Sequence, residues 1–200
     1  KDLKDPNAYN PDRAKQLLAE DGWKDTDGDG ILDKDGKPLT FNFVVYNSRA
    51  ELPLYAEAVQ ADLKKVGIDM KIKTVDYNLI DKMGQDGDYD MLISNIVTAN
   101  TGDPIWFLAN YWHTNDNGSN PQNGSGYSNP QVDQLLDAAE TEFDPAKRRD
   151  YAIQIQQLLM NDGAALFLGY PKTNIVTGSY LKGAVMYPSD YYWITNKITK

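Results

Sequence analysis

TFNFVVYNSRAELPLYAEAVQADLKKVGIDMKIKTV, residues 40–75, changes its hydrophobic period twice. Phe41, Phe43 and Val45 fall on one side of a period-two repeat, which predicts a half-buried strand. Helical spacing follows over residues 51–66 and ends at Gly67, after which period-two alternation returns. Strand, helix and strand in this order predict a right-handed crossover between two parallel strands. The predicted helical stripe comprises Tyr55, Val59, Leu63 and Val66, and the second strand places Ile68, Met70 and Ile72 together.

The flanking sequence extends this unit into an α/β fold with a mainly parallel sheet. On its amino-terminal side, Asn10 can cap a helix whose first position is Pro11. On its carboxyl-terminal side, the pattern predicts a short helix over residues 77–83 and an apolar strand over residues 89–95. Each element adds to the same alternation of strands and helices.

The second half of the chain has a different texture. Residues 117–130 are rich in glycine, asparagine and serine, which predicts a long surface loop. Two helices follow, the second beginning at Asp144 and Pro145. The final stretch from Ala164 is aromatic and strand-like. The apolar stripes of the two helices are Val132, Leu135, Leu136 and Ala139, and Tyr151, Ile155, Leu158 and Leu159.

Composition excludes several classes of protein. The 200 residues carry a formal net charge of −9 and no visible basic face, which argues against a nucleic-acid partner. The absence of cysteine excludes disulfides, thiol catalysis and thiolate metal sites. The chain opens on KDLKDPNAYNPDRAKQLL, which has the character of mid-protein sequence, so we expect a piece of a longer protein.

DTDGDGILDKDG, residues 25–36, has the spacing that begins a calcium loop. Oxygen ligands at positions one, three and five and glycine at six match the motif, but position twelve is Gly36 rather than glutamate. A strand, not a helix, is predicted to follow. The alternative is a polar turn whose carboxylates bond their own backbone, and we favour it. The candidate calcium ligands are Asp25, Asp27, Asp29 and Asp33, with Asp35 as a further substitute.

The sequence shows no clear motif of a catalytic site. His113 is the only histidine, so a histidine-rich metal centre is excluded. Ser125 lies in GSG rather than in the spacing of a nucleophile elbow, and no glycine-rich phosphate loop occurs. We therefore predict that the protein is not an enzyme.

Residues 95–127 predict a binding site for a small molecule. A strand ends, the chain turns through small polar residues, and a short aromatic helix starts at Pro104. Aromatic, amide and hydroxyl groups just beyond the carboxyl end of a strand are typical of a ligand crevice in an α/β sheet. For any single aromatic, burial in the core is the simpler interpretation; the clustering favours a site. The predicted contacts are Thr98, Asn100, Thr101, Asp103, Trp106, Tyr111 and His113.

Nearly the whole chain resembles the C-terminal lobe of the bacterial extracellular solute-binding proteins of family 5, which serve ABC importers of oligopeptides, dipeptides and nickel. The matching pieces occur in the family's order: YNPDRAKQLLAEDGW, DTDGDGILDKDGKPLTF, AEAVQADLKKVGIDMKI, YDMLISN, GDP before an aromatic helix, GYSNPQVDQLLDAAE and DPAKRRDYAIQIQQLLMNDGAALFLGYP. The aspartate-rich stretch is habitual in this family and often metal-free, which further favours the turn.

This resemblance implies a type II periplasmic-binding-protein-like fold in which ligand is trapped between two lobes. Residues 1–165 would form the C-terminal ligand-binding lobe, and residues 166–200 would return toward an N-terminal lobe. The implied protein works outside the membrane, extracellular or periplasmic, anchored through a lipoprotein signal. It would require no cofactor and would deliver its solute to ABC permease subunits in the membrane.

The resemblance leaves the solute open between a peptide, which we favour, and nickel or a metal chelate. In peptide receptors an aspartate four residues before the proline binds the ligand's amino terminus; Asn100 occupies that position here, although Asp103 is close by. In nickel receptors an aromatic precedes the Asp-Pro pair and a later histidine helps hold the chelate. Gly102 replaces that aromatic, while His113 lies at a shorter spacing.

Two functions of other classes remain as alternatives. One is a secreted, calcium-stabilised interaction module built around residues 25–35. The other is a hydrolase that uses Asp103 or His113, for which no sequence feature gives good support.

Overall fold

The computed structural model describes residues 2–98, 102–172, 174–186 and 195–200, which form an α/β fold. Its helices are α1 (Pro11–Glu20), α2 (Glu51–Lys64), α3 (Ile80–Asp86), α4 (Pro104–Trp112), α5 (Pro130–Thr141) and α6 (Pro145–Asn161). A 3₁₀ turn, Tyr77–Leu79, precedes α3. Its strands are β1 (Asp33–Lys34), β2 (Lys37–Pro38), β3 (Thr40–Tyr46), β4 (Asp69–Val75) and β5 (Met91–Leu92).

β3 is the central strand of a three-stranded parallel sheet with the order β4–β3–β5. It pairs with β4 from Thr40 opposite Asp69 to Tyr46 opposite Val75. On its other side, Phe43 and Val44 lie opposite Met91 and Leu92 of β5. The predicted parallel crossover through α2 is confirmed. A separate antiparallel hairpin joins β1 to β2.

The burial of β3 differs from the prediction of a half-buried strand. The predicted inward face is present, but Val44 and Tyr46 on the opposite face are also buried, at 0% and 1% exposure. The cause is the central position of β3, since a parallel sheet is covered on both faces by its crossover connections. Alternation therefore identified the strand but not its second buried face.

The buried stripe of α2 is shifted from the predicted one. Leu52 and Ala56 are its buried residues, and Val59 and Leu63 pack partly against the sheet. Tyr55, predicted to face the core, is 37% exposed. Val66 lies beyond the end of α2 and is buried in a smaller cluster with Leu39 and Ile68, against which α1 packs.

The helices α4, α5 and α6 pack into a second hydrophobic core. Every one of them starts with a side-chain cap and proline in the first turn, the caps being Asp103, Asn129 and Asp144. The predicted stripe residues Val132, Leu136 and Ala139 of α5 are all fully buried. No helix in the described ranges is both long enough and apolar enough to cross a bilayer.

Two predicted strands are shorter than expected or lie outside the sheet. The apolar segment 89–95 contributes only Met91–Leu92 to the ladder. From Ala164 onward, the described residues form no strand apart from an isolated antiparallel bridge between Lys182 and Thr199. Hydrophobic character predicted these strands, but a strand also needs backbone pairing with a neighbour, and β5 pairs with β3 at only two positions.

A substitution at Gly67 would test the packing between the β1–β2 hairpin and the end of α2. Its φ is +84°, and a Cβ there would lie 2.6 Å from Cγ of Leu32. We expect Gly67→Ala to lower the free energy of unfolding by about 2–4 kcal/mol, because left-handed strain adds to overpacking. Urea unfolding measures the loss.

Gly87→Ala is the matched control. Gly87 also has a positive φ, of +69°, but apart from Gly87 itself and its chain neighbours no atom of the described residues is found within 4 Å of the position that a Cβ would take. Gly87→Ala should lower the free energy of unfolding only by the cost of left-handed backbone strain, about 1–2 kcal/mol. Equal losses in the two variants would contradict a steric role for Leu32.

Candidate functional site

The carboxyl ends of the three parallel strands meet at one edge of the sheet. Tyr46 at the end of β3 packs edge-on against Tyr77, which follows β4, with ring centroids 5.1 Å apart. The Tyr46 hydroxyl accepts a hydrogen bond of 3.0 Å from the backbone N–H of Asn95, which follows β5. This edge therefore anchors the start of residues 95–103, the part of the predicted binding site before α4, which we call the ligand segment.

Of the predicted contacts in the ligand segment, Thr98 is exposed, whereas Asn100 and Thr101 lie outside the described residues.

The ligand segment leads into α4, which has one buried and one open face. Asp103 caps the helix, its Oδ1 accepting from the Ile105 N–H at 3.0 Å. Ile105, Leu108 and Trp112 recur at helical spacing and are buried against α5 and α6. This spacing leaves Trp106 partly exposed on a different face.

The open face of α4 forms one wall of a surface groove of about 490 Å³. The loop after α4 supplies Ser119 and Asn120, while α5 and α6 supply Glu140 and Arg148. The groove offers an aromatic surface, amide groups and charged groups side by side. It brings together three of the predicted contact residues, Asp103, Trp106 and His113.

Tyr111 lies outside the lining of this groove. Its ring contacts that of Phe107 at a centroid distance of 5.2 Å. Partial burial, with the nearby Asp81 and Tyr77, raises the pKa of its hydroxyl. The helix thus directs Tyr111 toward the sheet side of the molecule rather than toward Trp106 and His113.

Asp103 is held by Arg148, a residue that no sequence pattern singles out. The second carboxylate oxygen of Asp103 pairs with Nη2 of Arg148. Nη1 of the same guanidinium donates to the carbonyl of Glu142 at 2.9 Å and to that of Ala139. Arg148 looks in the sequence like one of three basic residues on a solvated helix turn, so its role is apparent only from the packing.

His113 ends α4 between two carboxylates of α5. Its Nδ1 lies 3.6 Å from Oδ1 of Asp133 and 3.3 Å from the carbonyl of Thr114, and its Nε2 lies 3.3 Å from Oδ1 of Asp137. Partial burial disfavours the charged ring, but the Thr114 carbonyl and the two carboxylates outweigh it and raise the pKa of His113. A protonated His113 therefore ties α4 to α5.

The loop that follows is fixed at its base by a buried amide. Asn123 is 3% exposed and is the only buried polar residue in the described part of the chain. Its Nδ2 donates to the carbonyls of His113 and Tyr127, at 3.0 and 2.8 Å, and its Oδ1 accepts from Ser125.

The tip of the loop differs from its base, because Asn117 and Gly118 are both exposed and both have a positive φ.

Two further contacts attach the same loop to its surroundings. A Cβ added to Gly124 would lie 3.1 Å from Cα of Gly84, so the loop backbone touches α3. The Tyr127 hydroxyl donates to the Asp162 carboxylate at 2.6 Å, and partial burial with this bond raises the pKa of Tyr127 to about 12. None of these residues carries a sequence signal, since a loop of glycine and asparagine predicts exposure.

The aspartate-rich stretch forms a compact polar turn. Asp25 accepts from the N–H groups of Gly28 and Gly30, at 2.7 and 3.0 Å, and Asp29 accepts from that of Ile31 at 2.8 Å. Asp33 accepts from both the N–H and the hydroxyl of Thr26.

Three of the candidate calcium ligands lie close together in this turn. One ligand atom each from Asp25, Asp27 and Asp29 lies within 4.8 Å of the others, and all three residues are exposed. The calcium hypothesis stays a prediction.

The comparison with protein families identifies the chain. The family model described as bacterial extracellular solute-binding proteins, family 5 middle, matches residues 1–119. The chain belongs to this family. The resemblance inferred from the sequence motifs is thereby confirmed.

The relatives of this chain include proteins named for binding oligopeptides and proteins named for binding nickel. Oligopeptide-binding protein AppA of Bacillus subtilis is 32% identical over 187 residues, which are 90% of this chain and 33% of AppA. Nickel-binding protein NikA of Staphylococcus aureus is 26% identical over 199 residues, which are 98% of this chain and 38% of NikA. The chain thus spans about a third of the length of these relatives.

Solved structures of the family confirm the type II periplasmic-binding-protein-like fold. AppA in complex with a nonapeptide matches with a TM-score of 0.68 and 32% identity, over 82% of this chain and 32% of AppA. DppA from Helicobacter pylori in complex with the peptide STSA matches with a TM-score of 0.72 and 27% identity, over 90% of this chain and 32% of DppA.

The His113 contacts predict a pH dependence of stability. Because the folded pKa is raised, the stabilisation is fully present below the unfolded value of about 6.5 and is lost as pH rises through the folded pKa. His113 is the only histidine, so one imidazole NMR signal reports its titration. His113→Gln should remove this slope from urea unfolding between about pH 6 and 8. A His113 pKa at or below 6.5 would contradict the two-carboxylate contact.

The turn at Asp25 predicts a stability effect that does not need calcium. Asp25→Ala removes the acceptor of two backbone N–H groups, so the melting temperature should fall by about 2–4 °C. Thermal melts with excess chelator and with millimolar calcium measure this. A large calcium-dependent rise in the wild-type melting temperature, absent in Asp25→Ala, would favour the metal site instead.

Proposed function

We propose that this chain is the C-terminal ligand-binding lobe of the substrate-binding component of an ABC importer, which captures a peptide for delivery to membrane permease subunits. Its membership of the solute-binding family supports this role. So do two relatives that are at least 32% identical, AppA, named as an oligopeptide-binding protein, and DdpA of Escherichia coli, named as a probable D,D-dipeptide-binding protein. The protein acts outside the membrane, held by a lipid anchor, and performs no chemistry on its solute.

The observation that supports the proposal is the open groove along α4, the helix that follows the anchored segment. Trp106 presents an aromatic surface there, and Asn110 and Asn120 present amides. Each amide nitrogen already donates within the protein, Asn110 to the Trp106 carbonyl and Asn120 to those of Ala109 and His113. Their amide oxygens remain as acceptors for the N–H groups of a peptide backbone. Thr98, Asn100 and Thr101 complete the proposed contacts.

The surface of the chain supports a two-lobed receptor. Beyond residue 165, Leu166, Phe167, Tyr170 and Val176 are 66%, 55%, 86% and 92% exposed. Apolar side chains at this exposure are typical of a surface that another domain covers. We assign residues 1–165 to the ligand-binding lobe and residues 166–200 to the segment that returns toward the N-terminal lobe. Closure of the two lobes would exclude water from the solute.

Nickel or a metal chelate is the second candidate, and His113 favours it. The imidazole lines the groove and is only partly buried. Nε2 faces Asp137, whose side chain is 70% exposed and can move away from the ring. The similarity to NikA of Staphylococcus aureus over almost the whole chain supports this alternative. A secreted module stabilised by calcium at Asp25, Asp27, Asp29 and Asp33 would be a function of another class.

Calorimetry on the chain distinguishes these functions. We expect short peptides to bind weakly, since one lobe supplies part of the contacts, and the nickel–histidine complex to bind less well. Trp106→Ala should weaken peptide binding about 10-fold through the lost aromatic contact. Leu54→Ala is the matched control, because Leu54 is 66% exposed on α2 outside the groove lining.

Two results would contradict the peptide proposal. One is binding of the nickel complex but of no peptide, which selects the metal-chelate alternative. The other is an equal loss of peptide affinity in Trp106→Ala and Leu54→Ala, which removes the groove from the site.

A further inference from the structure

Arg148 joins three parts of the helical layer with one planar side chain. Its Nη2 pairs with Asp103 at the start of α4, while its Nη1 donates to the carbonyls of Ala139 and Glu142 at the end of α5. The side chain is 24% exposed. These carbonyls are among the last of α5, which helix geometry leaves without intrahelical partners. Arg148 therefore satisfies the end of one helix and fixes the start of another.

Asp103 is committed to the protein through both oxygens. Oδ1 accepts from the N–H of Ile105, and Oδ2 pairs with Arg148. The guanidinium supplies the positive charge that a ligand ammonium would otherwise supply. A peptide amino group would then gain little at Asp103, because the carboxylate is already neutralised and hydrogen-bonded.

The position of this pair links it to the groove. Asp103 and Arg148 both line the groove wall, and Asp103 caps the helix that carries Trp106. The ligand segment reaches α4 directly through Gly102 and Asp103. A shift of the Asp103 side chain would therefore move the start of α4 and the groove residues with it.

We propose that Arg148 is a positioning residue for solute binding, which acts through Asp103, and that Asp103 orients the site rather than clamping the amino terminus of the peptide. The inference rests on the proposed function for the identity of the solute. Arginine is suited to this task because its rigid fork holds three oxygens in fixed directions, which the single ammonium of lysine does not.

The test compares Asp103→Asn, Arg148→Lys and the double variant with Arg149→Lys as the matched control. Arg149 is the next residue on α6, but it is 66% exposed and pairs with Asp2. Each chain is titrated by calorimetry with a peptide that has a free amino terminus and with its N-acetylated form. Thermal melts confirm that each variant is folded.

Positioning predicts that Arg148→Lys and Asp103→Asn each lower the affinity about 10-fold, equally for the free and acetylated peptides. The double variant should bind no worse than either single variant, because both act through one pair. Arg149→Lys should bind like the wild type. If Asp103→Asn weakens only the free peptide while Arg148→Lys binds normally, Asp103 is a direct contact and the inference is overturned.

Amide hydrogen exchange keeps the inference testable without a solute. Freed from Arg148, the Asp103 cap should hold Ile105 less well, so the Ile105 amide should exchange faster in Arg148→Lys but not in Arg149→Lys. Unchanged exchange in Arg148→Lys overturns the inference. If the wild-type chain binds no peptide at all, the proposed peptide function fails, whereas this exchange result still decides whether Arg148 fixes the Asp103 cap.

Discussion

Parallel pairing on both sides of β3 is the constraint on which the rest of the molecule depends. It gives β4 and β5 the same direction as β3, so the chain leaves all three strands at the same edge of the sheet. Tyr46 joins the three exits by contacting Tyr77 after β4 and Asn95 after β5. The connection that leads to α4 therefore starts from a fixed place beside the strand ends, the edge at which ligands bind in other open α/β sheets.

The helical layer depends on polar contacts as much as on its apolar core. α4, α5 and α6 bury one face each, which holds them together without fixing the loop between α4 and α5. Asn123 fixes that loop by bonding the carbonyls on both sides of it, His113 and Tyr127. A buried amide with satisfied donors and acceptor specifies one loop conformation, because any other would leave polar groups unpaired. Apolar burial stabilises this layer, and the amide gives it a single geometry.

The fold was predictable wherever local rules and packing agree. The β3–α2–β4 crossover, the caps Asn10 and Asp144 and the stripe of α5 all follow from spacing and from helix-end chemistry. The second buried face of β3 was not predictable, because it depends on being the central strand. The shortness of β5 was missed for a related reason, since apolar residues in the sequence do not show how many of them pair with a neighbouring strand.

The candidate site was predictable in composition but not in its supports. The cluster around Asp103, Trp106 and His113 was visible as polar and aromatic residues after a strand, and these three line one groove. Tyr111 was grouped with them, but it projects from another face of the same helix. Arg148 and Asn123 were missed because each acts on backbone carbonyls brought close by folding. A sequence does not display such contacts.

The loop between α4 and α5 combines a clamped base with an exposed tip at Asn117 and Gly118. These two residues form the centre of a tight turn closed by the bond from the Ser119 N–H to the Asp116 carbonyl, at 3.0 Å. Exposed loop tips tolerate inserted sequence best, whereas the base residues would not. A fluorescent reporter spliced between Asn117 and Gly118 would therefore stand beside Ser119 and Asn120 of the groove wall, close enough to turn solute capture into an optical signal.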